Sequence, residues 1–275
     1  MSDNGLAETA SLDRIRGWLE GPNTYGNSLP FWCAFVVGVV ALAAYPQLVG
    51  VYTTIQSARY FALAFLALSL CFIWGYAGIL SFGQVAFFGV AAYAFGIIGL
   101  NFSSATGIMA GLVGAVVVGT AAAAIVGYFM FYGGVRDTYV TIMTLVIALV
   151  LNTFMAQTAG SEWAIGAAQL GGFNGMDIPS LTLGVGQTGF ERERAALYYT
   201  LLGALVVTYL GLRVLVNSRF GLTMVAIRED EARTETFGYN VPFVKLVVWV
   251  SVGGRESLLG AIGATVLIER MRTEL

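Results

Sequence analysis

The chain has 275 residues, 57% of them hydrophobic and 11% charged, with a formal net charge of -2 and a mean hydropathy of +0.78. A soluble domain carries about 25% charged residues, so this composition marks a membrane protein, and nucleic acid is excluded as a partner because no Lys/Arg cluster forms a basic patch. Histidine is absent, which removes imidazole catalysis and most zinc sites; no metal and no cofactor is expected.

Residues 1–29 are polar and include Asp13, Arg14, Arg16 and Glu20, unlike a cleaved signal peptide. They are expected to form a cytoplasmic N-terminal segment ahead of a single membrane domain, 30–268, with a polar tail at 269–275. Apolar runs of about 20 residues are helix length in a bilayer, not the short alternating segments of a barrel. Six are predicted as spans: 30–50, 59–76, 80–100, 106–132, 138–157 and 196–216. Cys33 and Cys71 lie inside apolar runs and read as small buried side chains rather than a disulfide or metal pair. Placing Arg14 and Arg16 inside puts Arg136, Arg219, Arg228, Arg233 and Lys245 inside as well, with Arg59, Arg192 and Arg194 outside, so the excess of basic residues favours a cytoplasmic N-terminus.

The stretch 71–89, CFIWGYAGILSFGQVAFFG, is apolar throughout but holds Gly75, Gly78 and Gly83. Each glycine lowers helix propensity by about 1 kcal/mol relative to Ala, so a break is expected between two spans. Backbone that leaves a helix at membrane depth is tolerated where protein buries it or water reaches it, and transporters place substrate sites there. Two readings stand: a tight hairpin at the cytoplasmic surface, or a translocation path lined by Gly75, Gly78, Ser81 and Gln84. The fifth span adds Thr141, Thr144 and Asn152 on roughly one side, for interhelical hydrogen bonds or the path. The fourth span carries Gly107, Gly111, Ala115, Gly119, Ala123 and Gly127 at four-residue spacing, a stripe suited to close helix packing. Residues 158–195, with GGFNGMDIP, read as a structured external loop.

The densest charge falls at Arg228–Glu235, where six of eight residues are charged. Gly221 to Phe237 is predicted as one short cytoplasmic helix, anchored by Met224, Ile227 and Phe237, with Arg228, Glu229, Asp230 and Arg233 facing outward. Gly238 is its stop, and Asn240 with Pro242 restarts a helix. The last apolar segment, 243–268, is interrupted by GGRES, where Arg255 and Glu256 would each cost about 2.5 to 3.5 kcal/mol at mid-membrane.

The stretch SRFG...AIREDEAR...FGYNVPFVKL resembles the cytoplasmic coupling motif in permease subunits of bacterial ABC importers for branched-chain amino acids. ALSLCFIWGYAGILSFGQVAFFGVAAYAFG resembles that family's broken-helix region, and GGFNGMDIP its external glycine-rich loop. The resemblance covers residues 58 to 249. It implies an all-α polytopic protein of the bacterial inner membrane, pairing with a second permease, two cytoplasmic ATPases and an external solute-binding protein. It also assigns ATPase coupling to Ser218, Arg219, Phe220, Gly221, Ala226, Ile227, Arg228, Glu229, Gly238 and Lys245, within a segment spanning 217–242. Lys245 is the chain's one lysine, so no P-loop exists here and ATP hydrolysis is expected on another subunit.

Two departures stand out. Gln84 replaces a His common in the family, and the glycine-glycine-arginine stretch follows Lys245 sooner than the family places it, with Glu256 where Gly is usual. An internal deletion is therefore expected, leaving an irregular, shortened last segment. The readings left open are an importer of branched-chain amino acids, the same machinery for urea or short amides, a passive small-solute channel, and a shortened non-functional permease.

Overall fold

The computed structural model describes residues 17, 19–24, 26–49, 51–135, 138–176, 182–183, 190–191 and 194–253. Long helices dominate: α1 (Leu29–Leu48), α2 (Val51–Ala77), α3 (Gln84–Asn101), α4 (Ala105–Tyr132), α5 (Thr138–Ala156) and α6 (Arg194–Asn217). Short α7 (Arg219–Glu229) and α8 (Glu231–Thr236) follow, then α9 (Val241–Gly253). Five of these helices are long and apolar enough to cross a membrane among the described residues; α2 is 27 residues long with an apolar part at Leu63–Ala77. The fold is an all-α polytopic membrane protein.

Between α5 and α6 the loop begins with a small antiparallel hairpin, β1 (Ala164–Ile165) with β2 (Ala168–Gln169), Ile165 opposite Ala168. A second pair, β3 (Thr182–Leu183) with β4 (Phe190–Glu191), follows. The Asn101 side chain at the end of α3 fixes the hairpin turn, donating to the Ile165 carbonyl at 2.8 Å and accepting from the Ala167 amide at 3.0 Å.

Two apolar clusters fill the bundle. One joins Phe61 and Phe65 of α2, Phe95 of α3, Leu112 of α4 and Tyr198 and Leu201 of α6, near the α5–α6 loop. The other joins Phe72, Ile73, Phe87, Met130, Met224, Val248 and Trp249, near α7 and α9. Every member of the four-residue stripe on α4 is buried. It serves two helices in turn: a methyl on Gly111 would meet Phe95 of α3 at 3.2 Å, whereas one on Gly127 would meet Trp249 of α9 at 2.6 Å. Gly107 packs on Phe102, Ala115 is fully buried, and the Trp249 indole donates to the Ala123 carbonyl at 3.0 Å. Small residues let the backbones come this close, so dispersion and an indole bond replace the hydrophobic drive that lipid removes.

Pro46 lies inside α1 and has no N–H, which orphans the carbonyl of Leu42 four residues earlier. The Tyr198 hydroxyl donates to that carbonyl at 2.7 Å and the Tyr199 hydroxyl to Ala43 at 3.1 Å. In lipid, where bulk water does not reach such a gap, a donor from a neighbouring helix satisfies the freed carbonyl.

Three expectations are corrected. The charged segment is not one helix: Asp230 leaves helical geometry (φ -159, ψ 102), ends α7 and caps α8, accepting from the Arg233 amide at 2.9 Å. Met224 and Ile227 are buried anchors, but Phe237 is 75% exposed and anchors nothing. Cys33 and Cys71 are exposed on the bundle's apolar surface rather than buried. Residues 254–268, with Arg255 and Glu256, and the basic residues Arg14, Arg16 and Arg136, lie outside the described residues.

Tyr198→Phe should lower the melting temperature of the detergent-solubilised protein by the loss of about 1 kcal/mol, the scale of one hydrogen bond in a membrane interior; an unchanged melt would contradict the Pro46 compensation. Gly127→Leu should push α9 from α4 and reduce the monodisperse fraction on size-exclusion chromatography, and wild-type behaviour would show that α9 does not need that contact.

Candidate functional site: the helix break and the coupling segment

Residues 78–83 leave helical geometry between α2 and α3. The exit is Gly78 at φ +70, a left-handed conformation that side chains disfavour. The amides of Gly78 and Ile79 bond back to the carbonyls of Trp74 and Ile73 at 3.1 and 3.2 Å. That leaves the Gly75 carbonyl for another donor, and Arg228 of α7 supplies it from its guanidinium Nη1. A methyl on Gly78 would stand 2.9 Å from Arg228 Cγ, so glycine serves both the turn and the approach of the arginine. The cation sits at the negative end of the α2 dipole, worth a further 0.3 to about 1 kcal/mol.

Arg228 also pairs with Glu229 at 2.6 Å. Arg228 is exposed, as expected, but not free: its aliphatic stem runs along Gly78 and its head reaches the end of α2. A second fastening lies beside it. Lys245 of α9, 7% exposed, pairs with Glu231 of α8, as a buried cation must to offset its desolvation. A cavity of about 260 Å³ lies between these fastenings, bounded by Gly78, Phe131, Val140, Arg228, Glu231 and Lys245.

On the other side the break is held by α5. Thr141 Oγ1 donates to the Leu80 carbonyl at 3.0 Å, and a methyl on Gly83 would strike the backbone carbonyl of Thr144. Thr144 is 1% exposed and its hydroxyl bonds within its own helix, to the Thr141 carbonyl at 2.9 Å. Gln84 opens α3, and Ser69 of α2 places its hydroxyl 3.2 Å from Gln84 Oε1. Ser69 stands eight residues before Ala77, so α3 begins about 12 Å back along α2 from its end. The stretch therefore turns at the coupling segment and re-enters the bundle, combining features of both sequence readings.

Of the six residues expected to line one path, Gly75, Gly78, Ser81, Gln84 and Thr144 gather at the break, and Asn152 does not. Asn152 instead lines an open, mainly apolar cleft of about 640 Å³, which runs from Val85 and Gly89 of α3 to Phe173 and Asn174 of the external-loop stretch.

The coupling residues divide by face. Ser218 caps α7, accepting from the Gly221 amide at 3.4 Å, and Gly221 packs against the backbone of Val216. Phe220 is half-buried and Ile227 2% exposed, on the inner cluster. Arg219, Ala226 and Glu229 are exposed, and so is Leu222 at 50%; at spacings of three and four these share one helix face. Gly238 ends α8 at φ +86. Sequence reading passed over Leu222, whose signal was its place in that spacing, and Arg213. Arg213 of α6 is 4% exposed, donates to the carbonyls of Leu19 at 2.7 Å and Gly26 at 2.9 Å, and lies under Phe31 and Trp32. It fastens the N-terminal loop beside the coupling segment, and nothing in the local sequence signals that partner.

Gly83→Ala should separate the break from α5, because the obstacle is backbone; a lower melting temperature with intact insertion is expected, and a neutral effect would show that α5 yields freely.

The sequence profile described as branched-chain amino acid transport system / permease component matches residues 53–272. Among the curated proteins and the solved structures compared with the chain, none matches. The profile spans most of the chain, including the break, the cleft and the coupling segment: the protein belongs to the family of permease components of branched-chain amino acid transport systems.

Proposed function

We propose that the chain is the membrane-spanning subunit of an ATP-driven importer of branched-chain amino acids, with a cytoplasmic N-terminus in a bacterial inner membrane. An external solute-binding protein delivers the amino acid, a second permease completes the path, and two cytoplasmic ATPases drive it. The observation that carries this reading is the double fastening of the coupling segment, by Arg228 to the end of α2 and by Glu231 to Lys245 of α9.

The exposed face of α7, formed by Arg219, Leu222, Ala226 and Glu229, docks on an ATPase. Closure of the ATPases on ATP displaces α7 and α8. Because Arg228 is bonded to the Gly75 carbonyl, the end of α2 and the break move with α7, and Lys245 carries α9 with α8. The break then shifts against Thr141 and Thr144 of α5. Two opposed attachments make a lever: one side is held to the driven segment and the other to a helix of the bundle. A passive channel has no use for such an attachment.

The cleft beside Asn152 is lined by Val85, Val90, Ile97, Val118 and Leu151. Such walls suit an aliphatic side chain and offer little to urea or a short amide, whose surface is mostly polar.

Arg228→Ala should leave ATPase copurification intact, since Arg219, Leu222, Ala226 and Glu229 all stay in place although Glu229 loses its ion-pair partner, while ATP-dependent leucine uptake into proteoliposomes carrying the whole assembly falls several-fold. Uptake at the wild-type rate would remove the lever, and uptake without ATP would establish the channel instead.

A further inference from the structure

Helix α3 starts inside the bundle with nothing capping it: Gly83 offers no side-chain cap and the first turn holds no acidic residue. The aligned peptide dipoles of its 18 residues place roughly half a positive charge at this end, and the surroundings are apolar, where such a charge acts more strongly than in water. Beside it are two polar atoms that the fold does not use. Ser81 is 2% and Gln84 6% exposed, and Ser81 Oγ and Gln84 Nε2 are buried without a hydrogen-bond partner. The Ser69 hydroxyl lies 3.0 Å from the Leu66 carbonyl and 3.2 Å from Gln84 Oε1, and Gln84 Nε2 is without a partner. Buried donors without partners are rare in native folds, and those that persist call for a ligand or a function.

The residues directly after this pair open onto the apolar cleft: Val85, Ala86 and Gly89 form its inner wall. The cleft therefore stops one residue short of a positively polarised helix start with two spare donors, which form no part of its lining. We propose that Ser81, Gln84 and the first turn of α3 form a site for the α-carboxylate of the amino acid in transit, while the cleft receives its side chain. In the state described here the donors are sealed from the cleft, so the site is reached when the break moves. This rests on the importer reading above and assigns a substrate class to it: a free carboxylate is required, and an amide of the same side chain is not accepted. Gln84 supplies its donor at every pH, because a carboxamide does not titrate.

The test uses the full assembly in proteoliposomes, measuring ATP-driven leucine uptake for wild type, Ser81→Ala, Gln84→Leu and Gln84→Glu. Size-exclusion profiles confirm folding, and ATPase activity stimulated by the binding protein confirms docking. Expected is a loss of about tenfold for each neutral variant, the scale of one hydrogen bond to a charged group. Gln84→Glu should lose more than Gln84→Leu despite its closer shape, because its carboxylate repels the substrate's. A binding measurement on the assembly without the external protein adds an independent readout: leucine should raise its melting temperature, and leucine amide should not. Wild-type uptake in all three variants, Gln84→Glu matching Gln84→Leu, or equal stabilisation by leucine and its amide overturns the site while leaving the importer reading in place. A wild-type assembly that moves no branched-chain amino acid overturns the importer reading and the site with it.

Discussion

Where the backbone turns at Gly78 the last carbonyls of α2 lose their in-helix donors, and the Gly75 carbonyl accepts instead from an arginine 153 residues further along the chain. This one requirement organises the end of the bundle formed by α7, α8 and α9. It obliges α7 to lie against the end of α2, it makes Gly78 the residue that admits the arginine stem, and it turns a surface helix into a part of the bundle. A hydrophobic contact there could slide; a charge-assisted bond to a fixed carbonyl holds position. The Lys245–Glu231 pair does the same for α8 and α9, so the charged segment has two points of attachment with separate destinations.

The same rule governs the other half. Pro46 breaks the hydrogen-bond ladder of α1 and two tyrosines of α6 supply donors to the carbonyls nearby. The α4 stripe lets α3 and α9 come close enough for Trp249 to reach a backbone carbonyl. Where lipid gives no hydrophobic drive, satisfied backbone and close packing carry the association. Against this background the unpartnered donors of Ser81 and Gln84 are exceptional among the described residues, and they lie between the break and the inner wall of the cleft.

Much of this was legible in the sequence because lipid makes its constraints local. Run length gave the spans, four-residue spacing gave the stripe, and Gly75, Gly78 and Gly83 announced the break. Gly238 and Asn240 marked a helix stop and a helix start through backbone geometry that depends on near neighbours, whereas α7 begins at Arg219, ahead of the expected Gly221. What escaped was non-local or depended on direction. The partner of Arg228 is decided by how α7 packs, so its own segment gave no signal that this exposed charge reaches a carbonyl of α2. Asp230 splits the segment because it caps a new helix more effectively than it continues the old one. Asn152 fell on the expected side of α5 but two turns along, and therefore in the cleft rather than at the break. Phe237 seemed an anchor by composition, yet the turn at Gly238 leaves it outside.

The central claim is that the break travels with the coupling segment and slides against α5. Spin labels on a variant with Cys33 and Cys71 replaced by Ser, in the complete assembly, measure this by paired distances with and without a non-hydrolysable ATP analogue. One pair joins Phe82 in the break to Ala232 in α8, and another joins Phe82 to Ile142 in α5. The account predicts a constant first distance and a changed second one; a first distance that changes while the second stays fixed would contradict it.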